Sequence, residues 1–182
     1  SDLASYYSGR WDPLIYDALL LTAVVEYCDR KHKRPKGGWG RPFEVLMRVD
    51  DPARWDSPAV KGALSDALGK LSGDRWELSF VRRQSSYPGI QASFQWPQPA
   101  PVIMPFSDGM DSRMVATLPR EEPLVLVRLG DKQIDSPEVD GVWRAFTTVP
   151  YGVPGRRFSE NSGRARGFKF AMLGALAAYR SQ

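Results

Sequence analysis

The stretch from Val102 to Ser112, Val-Ile-Met-Pro-Phe-Ser-Asp-Gly-Met-Asp-Ser, constrains this chain more than any other. Its first half is apolar and of the length of a short buried strand, and Ser107, Asp108 and Gly109 then supply turn chemistry. Asp111 and Ser112 are placed to cap a helix that begins with Arg113-Met-Val-Ala116. A loop from a strand's end to a helix start gathers backbone N–H groups and the positive end of a helix dipole in one small space, which suits an anion. Small residues let a phosphate approach the main chain, and the hydroxyls of Ser107 and Ser112 can donate to it. The same residues also make an ordinary strand-to-helix turn, and spacing alone does not separate the two readings.

The residues around this stretch predict an α/β arrangement. Leu124-Val-Leu-Val-Arg-Leu129 is nearly all aliphatic, as a strand covered on both faces by helices should be. With 102–106 and the helix from about 111 to 118 it makes a βαβ unit of a parallel sheet, whose ligands sit at the carboxyl ends of the strands. Val142 to Val149 supplies a third strand. Trp96-Pro-Gln-Pro-Ala-Pro101 is a proline-rich joint that keeps the backbone extended and ends the preceding pairing. It sets the expected domains at 1–96 and 97–182.

The first of these reads as a small α+β domain. Asp12 and Pro13 start a helix whose apolar stripe runs Leu14, Ala18, Leu21, Val25 and Cys28, widened by Ile15, Leu19 and Thr22. Cys28 then reads as a small core residue rather than a reactive thiol, and Asp29-Arg-Lys-His-Lys-Arg34 as a solvated, basic helix end, with a patch for nucleic acid or an acidic partner as the alternative. Phe43 to Val49 alternates as a strand, and Asp50-Asp-Pro is a turn. Ser57 as N-cap and Pro58 open a second helix with Val60, Leu64, Ala67, Leu68 and Leu71 inward and Gly73 at its end. Trp76 to Arg82 is a second strand, and Ile90 to Gln95 a further short one. A last helix carries Phe168, Met172, Ala175, Leu176 and Tyr179 on one face. Arg164 and Arg166 sit at its N-terminal turn, where the dipole disfavours cations, so either an anion lies nearby or they pair with Glu160 or solvent.

Composition narrows the function. The 182 residues are 42% hydrophobic and 25% charged, as in a globular protein, and the net charge of +4 suits an anionic ligand without by itself arguing for DNA. One cysteine and one histidine leave no internal disulfide and no zinc or histidine-rich metal site to expect. No signal-peptide pattern and no run of about 18 apolar residues is present, so the expected location is the cytoplasm.

The loop also carries a family likeness. Ser107-Asp-Gly-Met-Asp-Ser112 resembles the Ser-Gly-Gly-x-Asp-Ser loop of the PP-loop ATP pyrophosphatases: Ser107, Gly109, Asp111 and Ser112 match, and Asp108 stands where the first of the paired glycines is usual. A carboxylate beside a triphosphate is unfavourable unless a cation lies between them. More of the chain resembles the 7-cyano-7-deazaguanine synthase-like (QueC-like) branch, above all its version in bacterial anti-phage defence operons of the Qat type. The supporting stretches are Trp39-Gly-Arg41 with Asp51-Pro-x-x-Trp55, Leu71-Ser-Gly-Asp-Arg-Trp-Glu-Leu-Ser-Phe80, and Glu160-Asn-Ser-Gly-Arg-Ala-Arg-Gly-Phe168.

That resemblance implies an adenine nucleotide alpha hydrolase-like parallel-sheet domain and an ATP-dependent ligase that uses ATP and Mg²⁺. Ser107, Asp108, Gly109, Met110, Asp111 and Ser112 would hold the nucleotide, and Asp111, Ser112, Arg164 and Arg166 would act in catalysis. A carboxylate of the 7-deazaguanine type would be adenylylated with release of pyrophosphate and then attacked by an amine, which in the defence branch can belong to a partner protein from the same operon. Neither a membrane nor direct nucleic-acid binding is expected. Members of the family continue further and carry a cysteine-ligated zinc near the C-terminus, so the chain is expected to be incomplete there. Two alternatives stand beside this reading. One is a non-catalytic subunit that keeps the fold to hold a partner. The other is an asparagine synthetase-like amide ligase, whose loop Ser107 to Ala116 also resembles, although the N-terminal half lacks the catalytic amino-terminal Cys of the glutaminase domain.

Overall fold

The computed structural model describes residues 12–84, 102–129, 138–139, 142–143, 145–149 and 158–180. They fall into two compact units, one of residues 12–84 and 158–169, the other of 102–149 and 170–180. Residues 158–169, which follow the proline joint, thus belong with the N-terminal segment. The joint itself and the strand expected at 90–95 lie outside the described residues.

The first unit is built on one crossover. Strand β1 (Pro42–Val49) leads through the short helix α2 (Pro52–Trp55) and helix α3 (Pro58–Ser72) to strand β2 (Arg75–Arg82), which pairs with β1 in parallel. The register opposes Phe43 to Trp76, Val45 to Leu78 and Met47 to Phe80, and all six side chains are buried. The Phe43 and Trp76 rings lie 4.4 Å apart, and Trp55 adds a second ring contact at 5.5 Å from Phe80. Each such side chain contributes roughly 1.5–3 kcal/mol on burial. The alternation expected from the sequence therefore holds on the inner face. The outer face carries Glu44, Leu46, Arg48, Glu77, Ser79 and Val81 and is exposed, Leu46 to 69%.

Helix α1 (Pro13–Lys31) starts as expected, with Asp12 accepting a hydrogen bond from the Leu14 N–H at 2.9 Å. Its buried face differs from a plain apolar stripe: Asp17 and Asp29 are buried with Ile15, Ala18, Leu19, Leu21, Thr22 and Val25, whereas Leu14 and Cys28 are only partly covered. Asp17 receives the Asp50 N–H at 2.8 Å and pairs with Arg83. In α3 the buried residues are Leu64, Leu68 and Ser72, and Leu71 is exposed. Ser57 stands at the N-cap position but its hydroxyl donates to the Arg54 carbonyl instead of capping. Asp50 and Asp51 are turn formers, Asp51 accepting from the Arg54 N–H at the start of α2.

Gly73 ends α3 in the left-handed conformation at φ 72°. It is doubly constrained, because a Cβ there would lie 2.3 Å from the Trp39 Nε1, and a Cβ on Gly40 would lie 2.5 Å from the Gly73 carbonyl oxygen. The Trp39-Gly40 and Gly73-Asp74 segments are thus in backbone contact.

The second unit is a parallel sheet of order β3-β4-β7, with β3 at Val102–Phe106, β4 at Leu124–Leu129 and β7 at Ala145–Val149. The expected third strand is divided, its first residues forming β6 (Val142–Trp143) in an antiparallel pair with β5 (Glu138–Val139). Helix α4 (Met110–Thr117) connects β3 to β4, and Phe106, Ala116, Leu124 and Leu126 form the core between them. Pro105 is tolerated because β3 stands at the rim of this sheet.

Helix α5 runs Arg166–Arg180. Its buried residues Phe168, Leu173, Leu176 and Ala177 rotate the face away from the expected one, leaving Ala175 and Tyr179 exposed. The reason is Gly174: a Cβ there would lie 2.7 Å from Pro105 Cγ, so the helix approaches β3 along its glycine side. The chain is accordingly mixed α/β, as its sequence predicts.

Because backbone faces backbone at Gly40 and Gly73, Gly40→Ala should destabilise the first unit by roughly 1–3 kcal/mol. Urea unfolding measures this, and an unchanged midpoint would show that the two segments do not meet.

Candidate functional site

The loop singled out in the sequence joins β3 to α4 at the carboxyl end of the sheet. Ser107 to Asp111 are exposed. Asp108 is the one non-glycine residue with positive φ among the described residues, at 62°. It occupies the position where the resembling family has glycine, so the unusual side chain keeps the glycine-like backbone. Its carboxylate pairs with Arg113 Nη2 at 2.7 Å, which places a guanidinium beside the charge that would otherwise oppose a phosphate.

The helix cap is not the expected one. Gly109 is the N-cap, no side chain caps α4, and Asp111 and Ser112 lie inside its first turn. The first intrahelical bond runs from the Arg113 N–H to the Gly109 carbonyl at 3.0 Å, so the N–H groups of Met110, Asp111 and Ser112 precede it. The Ser112 hydroxyl donates to the Gly109 carbonyl at 2.8 Å, and the Ser107 hydroxyl to Ser112 Oγ at 3.3 Å. The two serines therefore brace the loop across its mouth. Met110, Met114, Val115 and Leu118 leave apolar surface exposed along α4.

Arg164 and Arg166 belong to the first compact unit, whereas Ser107, Asp108, Gly109, Met110, Asp111 and Ser112 belong to the second. The carboxylate at the start of α5 is an internal one: Asp29 Oδ2 accepts the Ala165 N–H at 2.9 Å. The Arg164 guanidinium lies over the Trp39 ring, 4.2 Å from its centroid. Glu160, the other expected partner, accepts instead from Ser162 and from the Arg34 N–H, the latter at 3.1 Å. The Ser162 hydroxyl above all, then the Ser162 and Arg34 amides, lower its carboxyl to about 2.

Around Asp29 stands a cluster the sequence reading missed. Arg41 Nη2 donates to Asp29 Oδ1 and Asp74 Oδ2, both at 2.6 Å, and its Nε donates to Asp74 Oδ1 at 3.1 Å. Arg34 reaches Asp74 Oδ1 at 2.8 Å and Asp29 Oδ1 at 3.2 Å. The Arg41 N–H closes the ring onto Asp74 at 2.8 Å. Asp29, Arg41 and Asp74 are buried, and Arg34 is largely covered. Burial pushes the Asp74 carboxyl up, but hydrogen bonds from Arg41 and Arg34 outweigh it and leave it below the usual range. Burial likewise opposes the charge on Arg41, while its bonds to Asp74 and Asp29 raise it. Arg34 is thus largely covered and paired with two buried aspartates, not part of a solvated helix end, and the Cys28 thiol beside this cluster is raised by burial.

Three separate stretches of the chain meet here. Arg41 comes from Trp39-Gly-Arg41, Asp74 from the segment after α3, and Ala165 from the segment before α5. A cavity of about 360 Å³ opens next to them, lined by Glu26, Asp29, Arg30, Asn161, Arg166 and Lys169 among others. Lys169 Nζ lies 2.7 Å from Glu26 Oε1, and Arg30 stacks on Phe158 at 4.0 Å. Among the described residues no group of three or more His, Cys, Asp and Glu is placed to hold a metal, and no helix is long and apolar enough to cross a membrane.

No family model, no curated protein and no solved structure matches the chain.

Two outcomes follow for this unit. Asp74→Asn leaves the guanidinium groups of Arg34 and Arg41 short of a charge and should cost roughly 3–5 kcal/mol in urea unfolding. Glu160 gains its native contacts with a depressed carboxyl, so their contribution is complete above about 4.5 and is lost only as the pH falls through about 2. A side-chain NMR titration should find that midpoint, and Ser162→Ala should move it upward.

Proposed function

We propose that this chain carries a PP-loop ATP site and that the protein adenylylates a carboxylate with release of pyrophosphate. The reading rests on one observation: the β3–α4 loop lies at the carboxyl end of a parallel sheet, and Ser107, Gly109, Asp111 and Ser112 follow the resembling pattern while Asp108, in place of the usual glycine, holds a left-handed backbone. Its donor set fits a triphosphate. The amides of Met110, Asp111 and Ser112 precede the first intrahelical bond, and Arg113 offsets Asp108; the Ser107 and Ser112 hydroxyls would have to turn from Ser112 and the Gly109 carbonyl to donate to a phosphate.

In this reading the substrate carboxylate oxygen bonds to the α-phosphorus while the bond to the β-phosphate oxygen breaks. The loop amides would hold the departing pyrophosphate, and the resemblance gives Asp111 and Ser112 a catalytic part. An amine then attacks the activated acyl carbon and AMP leaves. The Mg²⁺ travels with the nucleotide. A substrate of the 7-deazaguanine type, a partner supplying the amine, a defence role, a cytoplasmic setting and catalytic parts for Arg164 and Arg166 follow from the resemblance alone. A second reading, a non-catalytic subunit that holds a partner, draws support from the exposed Met110, Met114, Val115 and Leu118.

Pyrophosphate release from ATP, Mg²⁺ and a panel of carboxylates tests the first reading; Asp111→Ala should abolish it. Asp108→Gly removes a carboxylate from the phosphate site and should tighten ATP binding on the order of tenfold by calorimetry. Silence of the wild-type chain in both assays, with a partner co-purifying despite Ser112→Ala, would favour the second reading.

A further inference from the structure

We propose that Trp39 and the lysine-bearing loop around it form a stacking platform for single-stranded nucleic acid. The proposal concerns the first unit only and is independent of the ATP reading.

The indole of Trp39 is 71% exposed, whereas Trp55 and Trp76, the other tryptophans whose side chains are described, are buried. An exposed indole offers a flat apolar face on which another ring can stack. This one is also held in place. Its edge lies on Gly73, where a Cβ would come within 2.3 Å of Nε1, and its carbonyl accepts from Arg34 Nη1 at 3.1 Å. The guanidinium of Arg164 covers it at 4.2 Å from the ring centroid. Arg34 is itself fixed by Asp74 and Asp29, so the platform is anchored to the buried charge cluster. A ligand stacking on this ring meets a surface that is already ordered.

The charge beside the ring has one sign. Residues 31–40 include Lys31, His32, Lys33, Arg34 and Lys36 and no acidic residue. Lys31, Lys33 and Lys36 are exposed, and none is in an ion pair among the described residues. The carboxylates nearest in the hydrogen-bond network are spent: Asp29 and Asp74 on Arg34 and Arg41, and Glu160 on Ser162 and the Arg34 amide.

An exposed aromatic face amid spaced lysines fits a chain of phosphates with accessible bases. A duplex hides its base faces, and an acidic peptide would satisfy the lysines but offer nothing to the indole. Lysines at positions 31, 33 and 36 fit several phosphates better than one. The sequence alone offers this run as a solvated helix end or as a patch for nucleic acid or an acidic partner; the seating of Trp39 on Gly73, a tertiary contact, favours the patch.

The test is fluorescence anisotropy of the full chain with labelled oligodeoxythymidine and oligouridine of about 20 nucleotides, over a range of salt concentrations. Binding at low salt is expected. Trp39→Ala should weaken it about tenfold or more, and Trp39→Phe should retain most of it. Lys33→Gln and Lys36→Gln should each flatten the log–log salt dependence by about 0.7. Circular dichroism of Trp39→Ala checks that the exposed ring is not needed for folding; should that variant unfold, the Trp39→Phe affinity and the lysine salt slopes decide alone. No binding at low salt, or equal binding by a folded Trp39→Ala, would overturn the proposal. So would equal affinity for a duplex of the same length or for polyglutamate.

Discussion

The first unit depends on a buried square of charge. Two arginines and two aspartates, Arg34, Arg41, Asp29 and Asp74, neutralise one another at hydrogen-bonding distances of 2.6–3.2 Å. Each ion alone would be several kcal/mol too costly to bury, and only the full set, with backbone groups filling the remaining positions, is tolerable. The four come from the end of α1, the approach to β1 and the turn before β2. Asp29 then reaches a fourth segment through the Ala165 N–H. The cluster therefore fixes which pieces of chain meet, more than how strongly they do. Glycine at 40 and 73 is the steric corollary, since the segments must touch at their backbones for the carboxylates to reach.

The second unit answers a different constraint, that of backbone conformation. The turn out of β3 needs a left-handed residue, and Asp108 supplies it although an aspartate gains less from that region than glycine. The ion pair with Arg113, five residues on, helps hold the side chain there. The loop thereby combines a left-handed backbone with a paired charge at its lip.

Much of the architecture is legible in the sequence because it is written in local periods. The alternation of Phe43 to Val49, the aliphatic run at 124–129 and the αL glycine at 73 each follow from one segment's own residues. The misread positions are those decided by other segments. Asp29 looks like a solvent-facing residue until Arg41 arrives from elsewhere in the chain. The turn of α5 about its axis was set by Pro105 pressing on Gly174, and an apolar count along the helix does not contain that contact. Asp111 and Ser112 were read as caps because Ser and Asp favour that role, yet the helix begins one residue after Gly109. The loop at 107–112 stands out by its residue pattern, whereas the charge cluster does not. Its signal, a Gly next to an Arg and a Gly next to an Asp, emerges only when the two are set side by side.

The water-facing side of the β1–β2 pair has its own consequence. Parallel strands are commonly sheltered on both sides, and this pair shows solvent Leu46 and Val81. Glu44, Arg48, Arg75 and Glu77 surround them with charge of both signs. Such residues act as gatekeepers: another copy laid against this ribbon would have to strip water from them before gaining any apolar contact. The resistance of this ribbon to edge or face pairing therefore rests on four side chains that play no part in the core.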